Sequence, residues 1–97
     1  KKSFLNKVIR NGDLLSKLLN QLKLKHEILI KEVRSKGLMA AIEFKNNHDA
    51  LKLYNKIAKD GLVTTLIQGN TIRITPPLVI EKKDLIKGIE IISTNLE

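Results

Sequence analysis

The sequence has 97 residues, with no cysteine, no tryptophan and only three aromatic side chains, Phe4, Phe44 and Tyr54. Without cysteine there are no disulfides and no thiolate metal sites. Few aromatics means few platforms on which single-stranded bases could stack, and Phe44 alone falls in an expected strand. Nucleic acid is therefore not expected as a partner, although the formal net charge is +8. The fifteen lysines behind that charge are scattered along the chain rather than clustered. No apolar run approaches the roughly 20 residues of a membrane span, so no membrane partner is expected. The opening "KKSFLNKVIRNGD" lacks the uninterrupted apolar stretch of a secretion signal, which points to a cytoplasmic location. Proline occurs only twice, side by side at Pro76 and Pro77.

With 42% hydrophobic and 29% charged residues, the chain reads as globular rather than disordered. Its length suits one compact domain, residues 1–97. A chain of this size buries only about 60–70% of its unfolded surface, so the core should be thin. One sheet covered by helices on one face satisfies that constraint.

Periodicity supplies the elements. Leu5, Val8, Ile9, Leu15, Leu19 and Leu22 form a stripe at helical spacing that keeps phase across Gly12. One helix from about Lys2 to Leu24 is expected, with a packing reason for its interior glycine, which costs roughly 1 kcal/mol relative to alanine. A short strand follows around Ile30 to Arg34, then "RSKG" as a tight turn. In "GLMAAIEF", Leu38, Ala40, Ile42 and Phe44 share one strand face, and Met39, Ala41 and Glu43 share the other. A helix begins after Asn47 as N-cap and stops at Gly61, with Leu51, Tyr54, Ile57 and Ala58 as its buried stripe. "LVTTLI" and "TIRIT" pair as a hairpin through "QGN". The prolines end the second of these strands, because they cannot donate to a ladder. A last helix from near Lys82 buries Leu85, Ile86, Ile89, Ile92 and Leu96, with Gly88 beside that face. The fold class is α+β: a small, mostly antiparallel sheet with helices packed on one face.

Candidate chemistry is sparse. Alternation sends Ile72 and Ile74 toward the helices, and Arg73 to the uncovered face with Thr71 and Thr75. A guanidinium on a strand can bind a carboxylate or phosphate in a planar, bidentate way. It can equally be a solvated residue, the commoner state on such a face. His26 and His48 have no companions at metal-ligand spacing and are expected at the surface. Ser3, Ser16, Ser35 and Ser93 have no nucleophile elbow and no nearby base. By its own residues the chain contains no active site.

Two stretches, "IKEVRSKGLMAAIEF" and "DGLVTTLIQGNTIRITPPLVIEKKDLIKGIEII", carry a resemblance across nearly the whole chain. They resemble the C-terminal small domain of class-III pyridoxal-phosphate-dependent aminotransferases, nearest to the acetylornithine and ornithine aminotransferases. The matching residues are Val33, Arg34, Lys36, Gly37, Leu38 and Met39, then Gly61 and Leu62, then Asn70, Ile72, Arg73, Pro76, Pro77 and Leu78. Ser35 stands where that family usually has glycine.

The resemblance implies that Arg73 binds the α-carboxylate of the amino-acid or keto-acid substrate. It also implies that the bare sheet face abuts a large domain, absent here, which carries the Schiff-base lysine and the cofactor. Pyridoxal phosphate is then expected in a full-length, homodimeric parent and not in this chain, which has no catalytic, cofactor-binding or metal-binding residue of its own. The parent would move an amino group between ornithine or acetylornithine and 2-oxoglutarate; the 97-residue piece alone would be inactive. Two other readings stay open: a stand-alone basic module for RNA or another polyanion, and a non-catalytic assembly domain.

Overall fold

The computed structural model describes residues 2–97. Three helices and four strands follow in the order α1 (Lys2–Lys25), β1 (Ile30–Lys36), β2 (Met39–Phe44), α2 (Asn47–Lys59), β3 (Thr65–Ile67), β4 (Thr71–Ile74) and α3 (Lys82–Leu96). The strands form one fully antiparallel sheet of order β1-β2-β4-β3. α1 packs on β1 and β2, α2 packs on β2, β4 and β3, and α3 packs across α1 and α2. This is the α+β architecture read from the sequence.

The core lies between sheet and helices, where the two periodicities meet. Leu38, Ala40, Ile42 and Phe44 are buried from β2 and its approach, Ile72 and Ile74 from β4, and Leu15, Leu19 and Leu22 from α1. Burying one such aliphatic or aromatic side chain stabilises the fold by about 1.5–3 kcal/mol. Phe44 is completely enclosed. The single strand aromatic therefore points into the core and offers nothing on which a base could stack.

α1 runs through Gly12 unbroken, and its packing reason is visible. A Cβ at Gly12 would lie 3.1 Å from the carbonyl oxygen of Gly37, in the turn between β1 and β2. Helix backbone and hairpin tip touch directly. From Gly12 to Lys25 the helix advances about 20 Å, close to the roughly 23 Å of β1 beneath it. The first turns of α1 thus run past the hairpin tip, and Leu5 and Ile9, expected in the buried stripe, are exposed.

Several local expectations shift. β1 continues to Lys36, past the expected end at Arg34, because Ser35 and Lys36 pair with Ala40 and Met39. Ser35 therefore lies in ordinary strand geometry, and the left-handed residue of the turn is Gly37, at φ 58°. The serine leaves that turn undisturbed. β3 is shorter than "LVTTLI", and Leu62 to Thr64 lie outside the ladder.

Asn46, not Asn47, caps α2: its side chain accepts a hydrogen bond from the Asp49 amide at 2.8 Å. Gly61, at φ 88°, follows the helix as expected. The buried ridge of α2 is Ala50, Leu53 and Ile57, whereas Leu51 and Ala58 are exposed. Both sides of α2 offer a leucine, and the sheet decides which one is covered. In α3 the buried residues are Leu85, Ile89 and Ile92.

Candidate functional site

The face of the sheet away from the core is built by strand alternation alone. Arg34 pairs with Ala41, and Ala41 with Arg73, so the three form one row across β1, β2 and β4. Thr65 of β3 completes the row beyond Arg73. The adjacent row on the same face runs Glu32, Glu43, Thr71 and Ile67. Arg34, Met39, Thr65 and Arg73 are exposed, whereas Ile72 and Ile74 on either side of Arg73 are buried. Thr71, expected with Arg73 on the open face, is enclosed at 1% exposure between its strand neighbours, and its hydroxyl donates to the Asn70 side-chain oxygen at 3.0 Å.

The charges on this face are unequally partnered. Arg34 donates from Nη1 to Glu43 at 2.8 Å and to Glu32 at 3.2 Å. Lys31 lies 3.5 Å from the other oxygen of Glu43. The hydrogen bond from Arg34 holds the Glu43 carboxyl below its ordinary pKa, and the same bond raises that of Arg34. The side chain of Arg73 forms no hydrogen bond or ion pair with another described residue. Between the two arginines, above the methyl of Ala41, lies a shallow depression of about 220 Å³ that Lys36 and Met39 also line. An unpartnered guanidinium beside such a depression can receive a carboxylate through two parallel N–H···O bonds.

The ion network around Arg34 and Glu43 was not singled out from the sequence. Its signal was present, because period-two alternation places both residues on the open face.

The histidines divide. His48 is exposed as expected, but His26 is buried to 9% exposure, and its Nε2 lies 3.0 Å from the Ser93 hydroxyl. Burial pushes the His26 pKa down, and neighbouring Lys25 adds to that shift. Ser93 thus has an imidazole beside it, contrary to the sequence expectation. The pair joins the end of α1 to α3 across 67 residues, a contact with no local signal. Among the described residues, no cluster of three His, Cys, Asp or Glu side chains could hold a metal. No described helix is long and apolar enough to cross a membrane.

Residues 1–96 match the family model described as Aminotransferase class-III, and the chain belongs to that family. It is 41% identical over 92 residues to ornithine aminotransferase of Plasmodium falciparum, covering 89% of this chain and 22% of that protein. Acetylornithine aminotransferase of Bacillus cereus is 33% identical over 92 residues, covering 95% of this chain and 23% of the relative. The solved ornithine aminotransferase of Plasmodium yoelii superposes with a TM-score of 0.85 at 32% identity, over 98% of this chain and 25% of that one. The chain therefore spans between a fifth and a quarter of the length of these proteins.

Proposed function

We propose that residues 1–97 are the C-terminal small domain of a pyridoxal-phosphate-dependent aminotransferase, with Arg73 as its substrate-carboxylate residue. The carrying observation is the exposed, unpartnered guanidinium of Arg73 on the bare sheet face, in a chain of the class-III family. The parent transfers an amino group between ornithine or acetylornithine and 2-oxoglutarate, and it works as a homodimer. The similarity to the ornithine and acetylornithine enzymes supports that choice of substrates.

The cofactor, which supplies the electron sink for the reaction, does not fit this domain alone. Among the described residues no lysine is buried, so none offers the desolvated amine that a Schiff base needs. The lysine and the pyridine partner belong to the large domain of the parent, and the bare face of the sheet packs toward it.

What these residues do is bind and orient. Arg73 is carried on β4 between Ile72 and Ile74, both anchored in the core, so its backbone is stiff. A bidentate grip fixes the plane of the substrate carboxylate and the direction of its bond to Cα. Fixing that geometry before reaction removes an orientational cost from the barrier. Arg73→Ala in the full-length protein is expected to lower kcat/KM for 2-oxoglutarate or for the amino donor by about 10-fold or more, as a lost charge-assisted contact implies. Arg73→Lys should recover only part of the loss, because an ammonium cannot grip with two parallel bonds. Steady-state kinetics decide the matter: unchanged values for Arg73→Ala remove the residue from the site.

A further inference from the structure

We propose that Arg34 is a positioning residue: by holding Glu43, it keeps that carboxylate off Arg73 and leaves Arg73 free for substrate. The inference rests on the assignment of Arg73 made above and adds an internal competitor to it.

The register supplies the geometry. Glu43 sits on β2, between β1 and β4, and its directly opposed neighbours are Glu32 and Thr71. Arg34 and Arg73 both oppose Ala41, two residues along β2 from Glu43 and on the same face. Each guanidinium is thus a diagonal neighbour of Glu43, about 7–8 Å away by backbone, which long side chains can bridge. Ala41 has only a methyl group between them and blocks neither path. A carboxylate on the middle strand therefore has two arginines in reach, one on each flank.

In the structure Glu43 takes Arg34, at 2.8 Å, and its second oxygen faces Lys31. The Glu43 side chain is only 20% exposed, so it is held rather than free to sample other partners. Glu32 adds a second contact to Arg34. Lys31, Arg34, Glu32 and Glu43 are together neutral, which leaves Arg73 and Lys36 as the uncompensated positive charges beside the depression. Without Arg34, one Glu43 oxygen loses its close partner, while Lys31 remains at 3.5 Å and largely exposed. Arg73 is then the guanidinium in reach. A carboxylate tethered on the neighbouring strand acts at a high effective concentration, so it competes with a diffusing substrate for the same two donors.

The test is kinetic, in the full-length protein, with 2-oxoglutarate as the probe. Arg34→Met, which keeps the apolar stem and removes the charge, is expected to raise KM about 10-fold with a smaller change in kcat. Adding Glu43→Gln to Arg34→Met should return KM to within about threefold of the starting value, because the competitor is gone. Arg34→Lys, which retains a cation for Glu43, should stay close to the parent. A defect in Arg34→Met that survives Glu43→Gln overturns the proposal, as does an unchanged KM in Arg34→Met or an equal defect in Arg34→Lys. Arg73→Ala is measured alongside with Arg34 and Glu43 intact. An unchanged KM in that variant strikes the Arg73 assignment itself and is separable from a failure of the Arg34 cycle.

Discussion

Replacing Gly12 by valine tests the contact that sets α1 against the sheet. The first added carbon would stand 3.1 Å from the Gly37 oxygen and 3.2 Å from its carbonyl carbon and Cα. Comfortable carbon contacts lie at about 3.5–4.0 Å, so helix and turn must separate by a few tenths of an ångström. All three neighbours are backbone in a tight turn, not the end of a side chain that could swing aside. Against this, alanine in place of an interior helical glycine gains about 1 kcal/mol of propensity, and valine gains less. Overpacking of this kind costs typically about 1–3 kcal/mol. Gly12→Val, which brings two further methyls to the same place, is therefore expected to lose about 2–3 kcal/mol, and Gly12→Ala to lose about 0–2. The assay is urea unfolding of the chain followed by circular dichroism, with the midpoint compared at constant slope. Gly37→Ala separates the two causes. Nothing lies within 4 Å of its added Cβ, but the residue has φ 58°. That change should cost about 1–2 kcal/mol from backbone strain alone. Stabilisation of Gly12→Ala by the full propensity gain would refute the reasoning, because it would mean that helix and hairpin tip are not in contact.

Asn46→Ala removes the side chain that caps α2 and should destabilise the chain by about 1 kcal/mol in the same assay, while Asn46→Ser, which keeps a capping oxygen, should recover most of that loss. The buried His26 makes stability depend on pH. Its folded pKa lies below the ordinary value of 6.5, so the unfolded chain takes up the proton first. That contribution is complete above 6.5 and is lost as pH falls through the lower folded value. The urea midpoint should fall over that range in the parent, and His26→Gln should flatten the slope. The carboxyls of Glu43, Glu81 and Glu97, held below 4.5 by Arg34, Lys7 and Lys25 respectively, lose their contributions only in a more acidic window.

The elements were legible where periodicity had one solution. β2 and β4 alternate so regularly that Ile42, Ile72 and Ile74 had to share one face and Arg73 the other, and the structure agrees. The α1 stripe keeping phase across Gly12 correctly indicated one helix. Where two solutions existed, the sequence could not choose. Leu51 and Leu53 are equally hydrophobic, and only the position of the sheet makes the second the buried one. Leu5 and Ile9 continue an apolar stripe, but the sheet beneath them ends at the hairpin tip. Arg73 could be assigned to a face by alternation, but its lack of an internal partner depends on which arginine Glu43 selects.

Local chemistry and repeat distance were thus enough to establish the α+β class, the antiparallel sheet, the "QGN" turn and the outward aim of Arg73, because each depends on neighbours a few positions away. The approach of Gly12 to Gly37, the burial of His26 beside Ser93 and the pairing of Glu43 with Arg34 rather than Arg73 were decided by tertiary structure. Those contacts join separate elements, and their energies exist only once helices and strands occupy definite positions relative to one another.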